Sequence, residues 1–285
     1  MLLGVARTTR KIARSMQQNT VKHHCIIEAN AMNRLFHHVF FVVPALLLGL
    51  WTGSAMAEGT LKVGVLDDSP PMVFRNAEAE IVGYDVDVLQ EIGRRIGKSM
   101  QFMVIPWDEK TEYLNSGKID VIAGALMVTE ERKGLYALTA PVVKKFTEAA
   151  IVADSAPMKT TNDLSGKTVC TMAGSSSNAT VAGFRGPGGP VAKQSQAPTL
   201  EACLVQVAAG EVESAVMDGV TCAYYVKHNP GQFRILSGEL SDGQTAFGLR
   251  KHETQLTAEF NRAIAGMETD GTMKTLGERW FGGHE

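Results

Sequence analysis

The fold is decided by three consecutive segments: Leu61-Lys-Val-Gly-Val-Leu66, Val86-Asp-Val-Leu-Gln-Glu-Ile-Gly-Arg-Arg-Ile96 and Met100-Gln-Phe-Met-Val-Ile105. The first and the third are short apolar runs, which predict buried strands. In the second, apolar residues recur every three or four positions and charged residues take the opposite face, which predicts a helix with one buried stripe. A strand, a helix and a strand in this order are typical of a sheet covered by helices, so the sequence predicts an α/β protein.

The same alternation begins again after Asp163-Leu-Ser-Gly166, which predicts a second α/β unit. Its strands are expected at Thr168–Met172, Ala192–Gln196 and Ala215–Met217, and another strand at Thr245–Leu249. Periodicity alone leaves open whether the elements that follow Thr245–Leu249 join the first or the second unit.

The N-terminal region is typical of an export signal. The apolar run Val39–Trp51 is followed by the small-residue site Ala55-Met56-Ala57, as in secretory signal peptides. A membrane-spanning helix needs about 20 apolar residues, so an anchor is the weaker interpretation. We therefore expect residues 1–57 to be a leader and signal peptide, with translation from Met32, cleavage after Ala57 and export to the periplasm.

The charge balance narrows the classes of partner. Of 28 Lys and Arg residues and 30 Asp and Glu residues, six and one lie in residues 1–57, so the exported chain carries a net charge of about −7. This excess argues against nucleic acid or anionic lipid. The remaining histidines, His228, His252 and His284, are scattered without ligand spacing, and the exported chain has no G-x-S-x-G motif. We therefore expect no metal site, no cofactor and no enzymatic activity.

Three of the four cysteines follow residue 57, and in an oxidising compartment disulfides form and persist. Cys170 lies on a predicted strand and Cys203 on a helix that begins near Thr199, elements expected to be neighbours in one α/β unit. This favours the pair Cys170–Cys203. A bond between Cys203 and Cys222, or three buried thiols, remains an open alternative.

Short motifs follow one another in a characteristic order along residues 60–283. They are Leu61-Lys-Val-Gly-Val65, Pro70-Pro71, Ile81-Val-Gly-Tyr-Asp-Val-Asp87, Trp107-Asp108, Gly117-Lys-Ile-Asp-Val-Ile122, Thr129-Glu-Glu-Arg-Lys133, Asp163-Leu-Ser-Gly-Lys-Thr-Val169, Ala173-Gly-Ser-Ser176, Ala215-Val-Met-Asp218, Asp270-Gly-Thr272 and Arg279-Trp-Phe-Gly282. In this order and spacing the chain resembles the extracellular solute-binding proteins of family 3, which serve polar amino-acid importers.

The resemblance implies the type II periplasmic binding protein fold, in which two Rossmann-like α/β lobes are joined by a two-strand hinge and enclose the ligand. The crossing strands are then expected near Ala149–Ala153 and Thr245–Leu249. Lobe 1 is expected to comprise residues 58–150 and 246–285, and lobe 2 residues 151–245.

The resemblance also implies a function. The chain is expected to be the periplasmic substrate-binding component of an ABC importer, a monomer that captures an amino acid or related small carboxylate by hinge closure and presents it to a permease in the inner membrane. One alternative is a periplasmic enzyme on the same scaffold, similar to a cyclohexadienyl or arogenate dehydratase. Another is a protein that presents its ligand to a sensor or acts as an adaptor.

The family's ligand contacts fall on particular residues of this chain. By resemblance, Arg132 and Ser176 bind the ligand carboxylate, Asp218 binds its ammonium, and Trp107 stacks on it. A guanidinium suits the first role, because it binds a carboxylate through two hydrogen bonds and stays charged where water is excluded. Ser175 shares with Ser176 a turn between strand and helix, where backbone N–H groups can meet an anion. The structural alternatives are a surface arginine on an ordinary helix for Arg132, helix capping for Ser176 and Asp218, and core packing for Trp107.

Selectivity for the ligand side chain would depend on other charged residues. Asp67 and Asp68 lie near the end of the first strand, where acidic ligand contacts are common in the family, and would suit a basic ligand. One of the cations Arg75, Lys144 and Lys145 would suit an acidic ligand.

Four residues depart from the family pattern. Ser69 stands where an aromatic clamp is usual, Met127 where a hydroxyl is common, and Ala137 and Val142 where Asp and Tyr are common. These departures predict a cavity that is wider and less polar than usual.

Overall fold

The computed structural model describes residues 59–282, so the predicted signal peptide and its cleavage site lie outside the described residues. The strands are β1 (Thr60–Val65), β2 (Asp68–Ser69), β3 (Val73–Arg75), β4 (Ile81–Val82), β5 (Ser99–Val104), β6 (Val121–Ile122), β7 (Ala137–Leu138), β8 (Val143–Ala153), β9 (Thr168–Met172), β10 (Lys193–Ala197), β11 (Ser214–Asp218), β12 (Phe233–Ile235), β13 (Ser241–Thr245) and β14 (Gly248–Leu249). The helices are α1 (Tyr84–Ile96), α2 (Lys110–Asn115), α3 (Glu130–Leu135), α4 (Ser177–Gly183), α5 (Leu200–Ala209), α6 (Gly219–His228), α7 (Thr254–Thr269) and α8 (Thr272–Phe281), with short 3₁₀ turns at Trp107–Glu109 and Thr161–Leu164.

The first sheet has the strand order β5-β1-β6-β14-β7. Strand β1 runs parallel to β5 and β6, whereas β14 is antiparallel to β6 and β7. Helix α1 turns Leu89 and Ile92 into the core, and ends at Gly97, which adopts the left-handed conformation (φ 70°) usual for a helix C-cap. Helices α1, α7 and α8 pack together, so the C-terminal elements return to the first sheet.

The second sheet has the order β10-β9-β11-β8-β12, and β13 also pairs with β8. Strands β9, β10 and β11 are parallel, and β8 is antiparallel to β11. A small third sheet, β2-β3-β4, follows β1 in the chain.

A disulfide joins Cys170 on β9 to Cys203 on α5, and Cys222 is a free, buried cysteine. This is the pair that the sequence favours. It closes a loop with a sequence separation of 33 and attaches α5 to the sheet that it covers.

The chain passes between the two large sheets twice. It leaves the first sheet after Leu138 and enters the second at Val143, and it returns between Thr245 and Gly248. The second passage matches the predicted crossing strand. The first falls before the predicted crossing near Ala149–Ala153, because those residues already pair with β11 and β12 inside the second sheet. The exact extent of the two lobes stays a prediction.

Within residues 59–282, no helix combines the length and the apolar character needed to cross a membrane.

Candidate functional site

A cavity lies between the two sheets, at the carboxyl ends of β1, β9 and β11, where α/β folds usually bind ligands. Its lining comes from both sides: Leu66, Trp107, Gly124, Ala125 and Arg132 from the first, and Met172, Ser175, Ser176, Ser177, Leu200, Met217 and Asp218 from the second. The enclosed volume is about 20 Å³, room for roughly one water molecule. The two lobes are therefore closed on each other, and the cavity is narrow rather than wide.

Arg132 is held at the first turn of α3, where Thr129 caps the helix by accepting a hydrogen bond from the Arg132 backbone N–H (3.2 Å). Its side chain is only 6% exposed. Nη1 donates to the Met127 carbonyl (2.8 Å) and Nη2 to the Gly174 carbonyl of the opposite lobe (3.4 Å). No carboxylate among residues 59–282 lies within ion-pair distance of this guanidinium. Burial lowers its pKa, as expected for a charge that lacks a close counterion.

Asp218 ends β11 and lies in the cavity wall. Ser69 donates to its Oδ2 at 3.5 Å. Burial, reinforced by the nearby negative charge of Glu148 and opposed by Arg132, raises the pKa of Asp218 to about 8. At neutral pH Asp218 is therefore mostly protonated.

Glu148 is a buried carboxylate that the sequence analysis missed. It pairs in the β-ladder with Asp218 on one side and Ser241 on the other. Its Oε1 accepts from Ser176 and Ser177 (2.8 Å each), and its Oε2 from Thr180 and Ser241 (2.5 and 2.7 Å). A carboxylate offers about four acceptor sites, so these hydroxyls saturate it. A glutamate just before the apolar run from Ala149 was the only sequence signal.

The two predicted serines lie in the cavity wall, but their hydroxyl hydrogens are already used. Ser176 donates to Glu148, and Ser175 donates to the Met172 carbonyl (2.7 Å). Their oxygens can still accept a hydrogen bond, and the turn that carries them begins at Gly174. A Cβ there would lie 2.6 Å from the Asp108 Cα of the opposite lobe, so only glycine allows this close approach.

Trp107 is buried in the wall, and Lys110 follows it at the start of α2. The Lys110 Nζ lies 5.0 Å from the centre of the Trp107 ring and donates to the carbonyls of Trp107 (2.9 Å) and Gly174 (2.8 Å). Burial, with a smaller effect from Arg132, lowers the pKa of Lys110 to about 8. Lys110 and Arg132 thus both hold the Gly174 carbonyl across the lobes, and sequence reasoning did not find Lys110.

Asp67 and Asp68, also expected to bind ligand, do not line this cavity. Asp67 Oδ2 pairs with Arg75 Nε at 2.6 Å. Asp68 Oδ2 accepts from the backbone N–H of Glu201 (3.1 Å), and the hydroxyl of Tyr225 donates to the Asp68 carbonyl (3.0 Å). Burial raises the pKa of Asp68 to about 6. In this closed arrangement Asp68 caps helix α5 of the opposite lobe, a contact that only the tertiary structure reveals.

The floor of the cavity depends on Asp85, which is buried on α1. Its Oδ2 accepts from the backbone N–H groups of Gly124 (3.0 Å) and Ala125 (2.9 Å). These two residues adopt positive φ angles of 120° and 52°. Asp85 therefore fixes an unusual turn that lines the cavity.

In the described part of the chain, no three His, Cys, Asp or Glu residues are grouped to hold a metal ion.

Comparison with known proteins shows the family to which the chain belongs. Residues 61–283 match the family described as bacterial extracellular solute-binding proteins, family 3. The L-cystine-binding protein TcyJ of Escherichia coli (strain K12) is 27% identical over 225 residues, 79% of this chain and 83% of that protein. The histidine-binding periplasmic protein of Salmonella typhimurium (strain LT2) is 27% identical over 230 residues, 78% of this chain and 87% of that protein.

A solved structure gives the same result for the fold. An ancestral arginine-binding protein bound to arginine is 30% identical, with a TM-score of 0.73, over 79% of this chain and 99% of that chain. The predicted type II periplasmic binding protein fold is thereby confirmed.

Proposed function

Because the chain belongs to the bacterial extracellular solute-binding proteins, family 3, we propose that it captures an amino acid or a related small carboxylate between its lobes and delivers it to an importer. One observation carries this proposal: Arg132 is a buried cation in the wall of the interlobe cavity, and its described contacts are carbonyl groups rather than a carboxylate. Burying an uncompensated charge is costly, so a ligand carboxylate would supply the counterion that the protein leaves out.

The opposite charge of the ligand has its own partner. Asp218 lies in the same wall on the other lobe, and an ammonium group there would favour the ionised carboxylate. The cavity thus offers a cation from one lobe and an acid from the other. A zwitterionic head group would join the two lobes through both charges, with Trp107 packed beside it.

Several contacts join the lobes in the closed form. Lys110 and Arg132 donate to the Gly174 carbonyl, and Asp68 accepts from the Glu201 N–H. To shift the ratio of closed to open molecules from 1:99 to 99:1, a ligand must bind the closed form more favourably than the open form by about 5.5 kcal/mol. A buried carboxylate–guanidinium pair and an ammonium–carboxylate pair can together provide an amount of this order.

We further propose that the chain is exported to the periplasm, acts as a monomer and docks in its closed form on an ABC permease of the inner membrane. The family description and the names of its relatives, which are binding proteins for cystine and histidine, support this role rather than the dehydratase alternative. A role as a sensor or adaptor stays an alternative prediction. Stimulation of an ABC permease by the closed protein would argue against that alternative.

The test is replacement of the carboxylate anchor. Arg132→Ala should weaken binding of the preferred amino acid by about 3 to 5 kcal/mol, because a desolvated carboxylate is left unpaired. Isothermal titration calorimetry measures the dissociation constant directly. Arg94→Ala is the matched control, since Arg94 is an exposed arginine that pairs with Glu91 outside the cavity. Equal dissociation constants for wild type and Arg132→Ala would refute the proposal.

A further inference from the structure

A second and larger cavity lies between the lobes, bounded by the third sheet with its β3–β4 turn on one side and by α5 and α6 on the other. We infer that this cavity, here called the outer cleft, binds a small organic cation whose ammonium or guanidinium group carries N–H donors. Its principal walls are Asp68, Phe74 and Arg75 on one lobe and Glu201, Tyr224 and Asn229 on the other.

The outer cleft is separate from the cavity of Arg132 and Asp218, here called the inner cavity. The two share no lining residue, so the inference does not rest on the proposed function. They also differ in size. The outer cleft has a volume of about 440 Å³, within the range of about 300 to 1,000 Å³ that is usual for ligand sites. Arg75 and Glu201 in its walls are exposed, so a molecule can reach it from solvent while the lobes stay closed.

The charge of the outer cleft favours a cation. Three carboxylates line it, those of Asp67, Asp68 and Glu201, with the guanidinium of Arg75. The Arg75 Nε pairs with Asp67 Oδ2 at 2.6 Å, whereas neither Asp68 nor Glu201 has a lysine or arginine of residues 59–282 within ion-pair distance. Burial raises the pKa of Asp68 only to about 6, so this carboxylate is mostly ionised at neutral pH. Two negative charges are therefore left without a close counterion.

Aromatic rings provide the surface on which the body of such a molecule can pack. Phe74 and Tyr224 contact each other across the lobes, with ring centroids 5.8 Å apart and planes tilted by 50°. Tyr224 also stacks on His228, with a centroid distance of 3.8 Å. Aromatic faces attract ammonium and guanidinium groups and also pack against hydrocarbon and other rings. The cleft thus combines acidic and aromatic walls.

A buried acceptor without a donor indicates what the head group must supply. Asn229 follows the last residue of α6, lies in the wall of the outer cleft and is only 3% exposed. Its Nδ2 donates to the Tyr225 carbonyl at 2.9 Å, but its Oδ1 has no hydrogen-bond partner in the part of the chain that the structure describes. An unsatisfied buried acceptor is unfavourable, so an N–H donor here is stabilising. A quaternary ammonium has the charge but lacks this donor.

Three probes separate the charge from the hydrogen bond. 2-Phenylethylamine carries an aromatic ring and a primary ammonium, 2-phenylethanol lacks the charge, and trimethyl(2-phenylethyl)ammonium lacks the N–H donors. Each is titrated in a calorimeter into the wild-type protein, freed of bound ligand by unfolding and refolding. We expect the primary amine to bind at least tenfold more tightly than the alcohol and at least threefold more tightly than the trimethyl compound. Failure of the amine to bind, or equal affinity for the amine and either other probe, would overturn the inference.

Two variants test whether the amine lies in the outer cleft. Glu201→Gln removes one of its negative charges and should weaken binding of 2-phenylethylamine at least fivefold. Glu201 is exposed, and its carboxylate makes no ion pair or hydrogen bond within residues 59–282, so the fold should be unaffected. Glu211→Gln is the matched control, because Glu211 is an exposed residue of the same lobe that does not line the cleft. Equal binding of the amine by both variants would contradict the inference.

A third variant distinguishes the outer cleft from the inner cavity. Asp218→Asn should leave the affinity for 2-phenylethylamine unchanged, since Asp218 lines only the inner cavity. If Asp218→Asn weakens binding of the amine and Glu201→Gln does not, the amine lies in the inner cavity and the inference fails. Because the probes have no carboxylate, none of these results depends on capture of an amino acid by Arg132.

Discussion

Binding of an amino acid should depend on pH through Asp218. Burial and the neighbouring Glu148 raise the pKa of Asp218 to about 8. A ligand ammonium favours the ionised carboxylate, so binding at neutral pH must displace a proton. Apparent affinity then follows the ionised fraction, which rises from about 1% at pH 6 to about half at pH 8. With the bound-state pKa well below 6, affinity should increase about 50-fold over this range.

The assay is isothermal titration calorimetry in two buffers of different ionisation enthalpy. At pH 7, the difference between the buffers should report the release of about 0.9 protons per ligand. Asp218→Asn should bind more weakly and should release no proton. Because Lys110 titrates near the same pH and is retained in that variant, the comparison isolates the contribution of Asp218.

A second control changes the ligand. 4-Methylpentanoate is leucine without its amino group, so it can engage Arg132 but offers no cation to Asp218. It should bind without the release of a proton and without the rise in affinity between pH 6 and pH 8. The assignment of Asp218 as the ammonium site would be refuted by amino-acid binding that is independent of pH from 6 to 8 and releases no proton.

Two further variants test closure and stability. Gly174→Ala should keep the fold of each lobe but hold the lobes apart, because its Cβ would meet backbone atoms of the opposite lobe at 2.6 Å. We expect at least tenfold weaker binding and a larger radius of gyration with ligand in X-ray scattering. Gly210→Ala is the matched control and should leave both unchanged, because Gly210 has the same positive φ (72°, against 71° at Gly174) but open space at its Cβ. The double variant Cys170→Ser and Cys203→Ser should lower the free energy of unfolding by about 3 to 4 kcal/mol, the value expected for a closed loop of this length. Urea denaturation of the wild type and the double variant measures this difference in the free energy of unfolding. A difference below 1 kcal/mol would show that the disulfide contributes little to stability.

The main elements of the fold were predictable because their signals are local. The apolar stripe from Val86 to Ile96 defines one face of a helix, and the structure extends α1 by only two residues, to Tyr84. The two strands of the third sheet that pair with β3 are two residues long, too short for a period to be recognised. The first passage between the sheets was placed too late, because the apolar run Ala149–Ala153 marks only the second half of β8, whereas the whole strand already lies in the second sheet.

The site was predictable only where a motif supplied it. Arg132, Trp107 and Asp218 lie in the cavity wall, and their contacts with a ligand stay predictions. Glu148 and Lys110 could not be found, because both depend on partners distant in sequence, such as Ser241 and Gly174. Asp67 and Asp68 lie outside this cavity, where Asp67 pairs with Arg75 and Asp68 accepts from the Glu201 N–H of the opposite lobe, and a role for them in binding stays a prediction.

The disulfide has a consequence beyond the cohesion of the second lobe. Cys170 precedes Met172 by two residues, and Cys203 follows Leu200 by three, so the crosslink ties together two walls of the cavity. The binding surface of that lobe is therefore already shaped before the ligand arrives, and capture spends less conformational entropy on ordering it. Reduction of this bond should lower affinity without removing any contact to the ligand, so formation of the disulfide is a step in the maturation of the binding site.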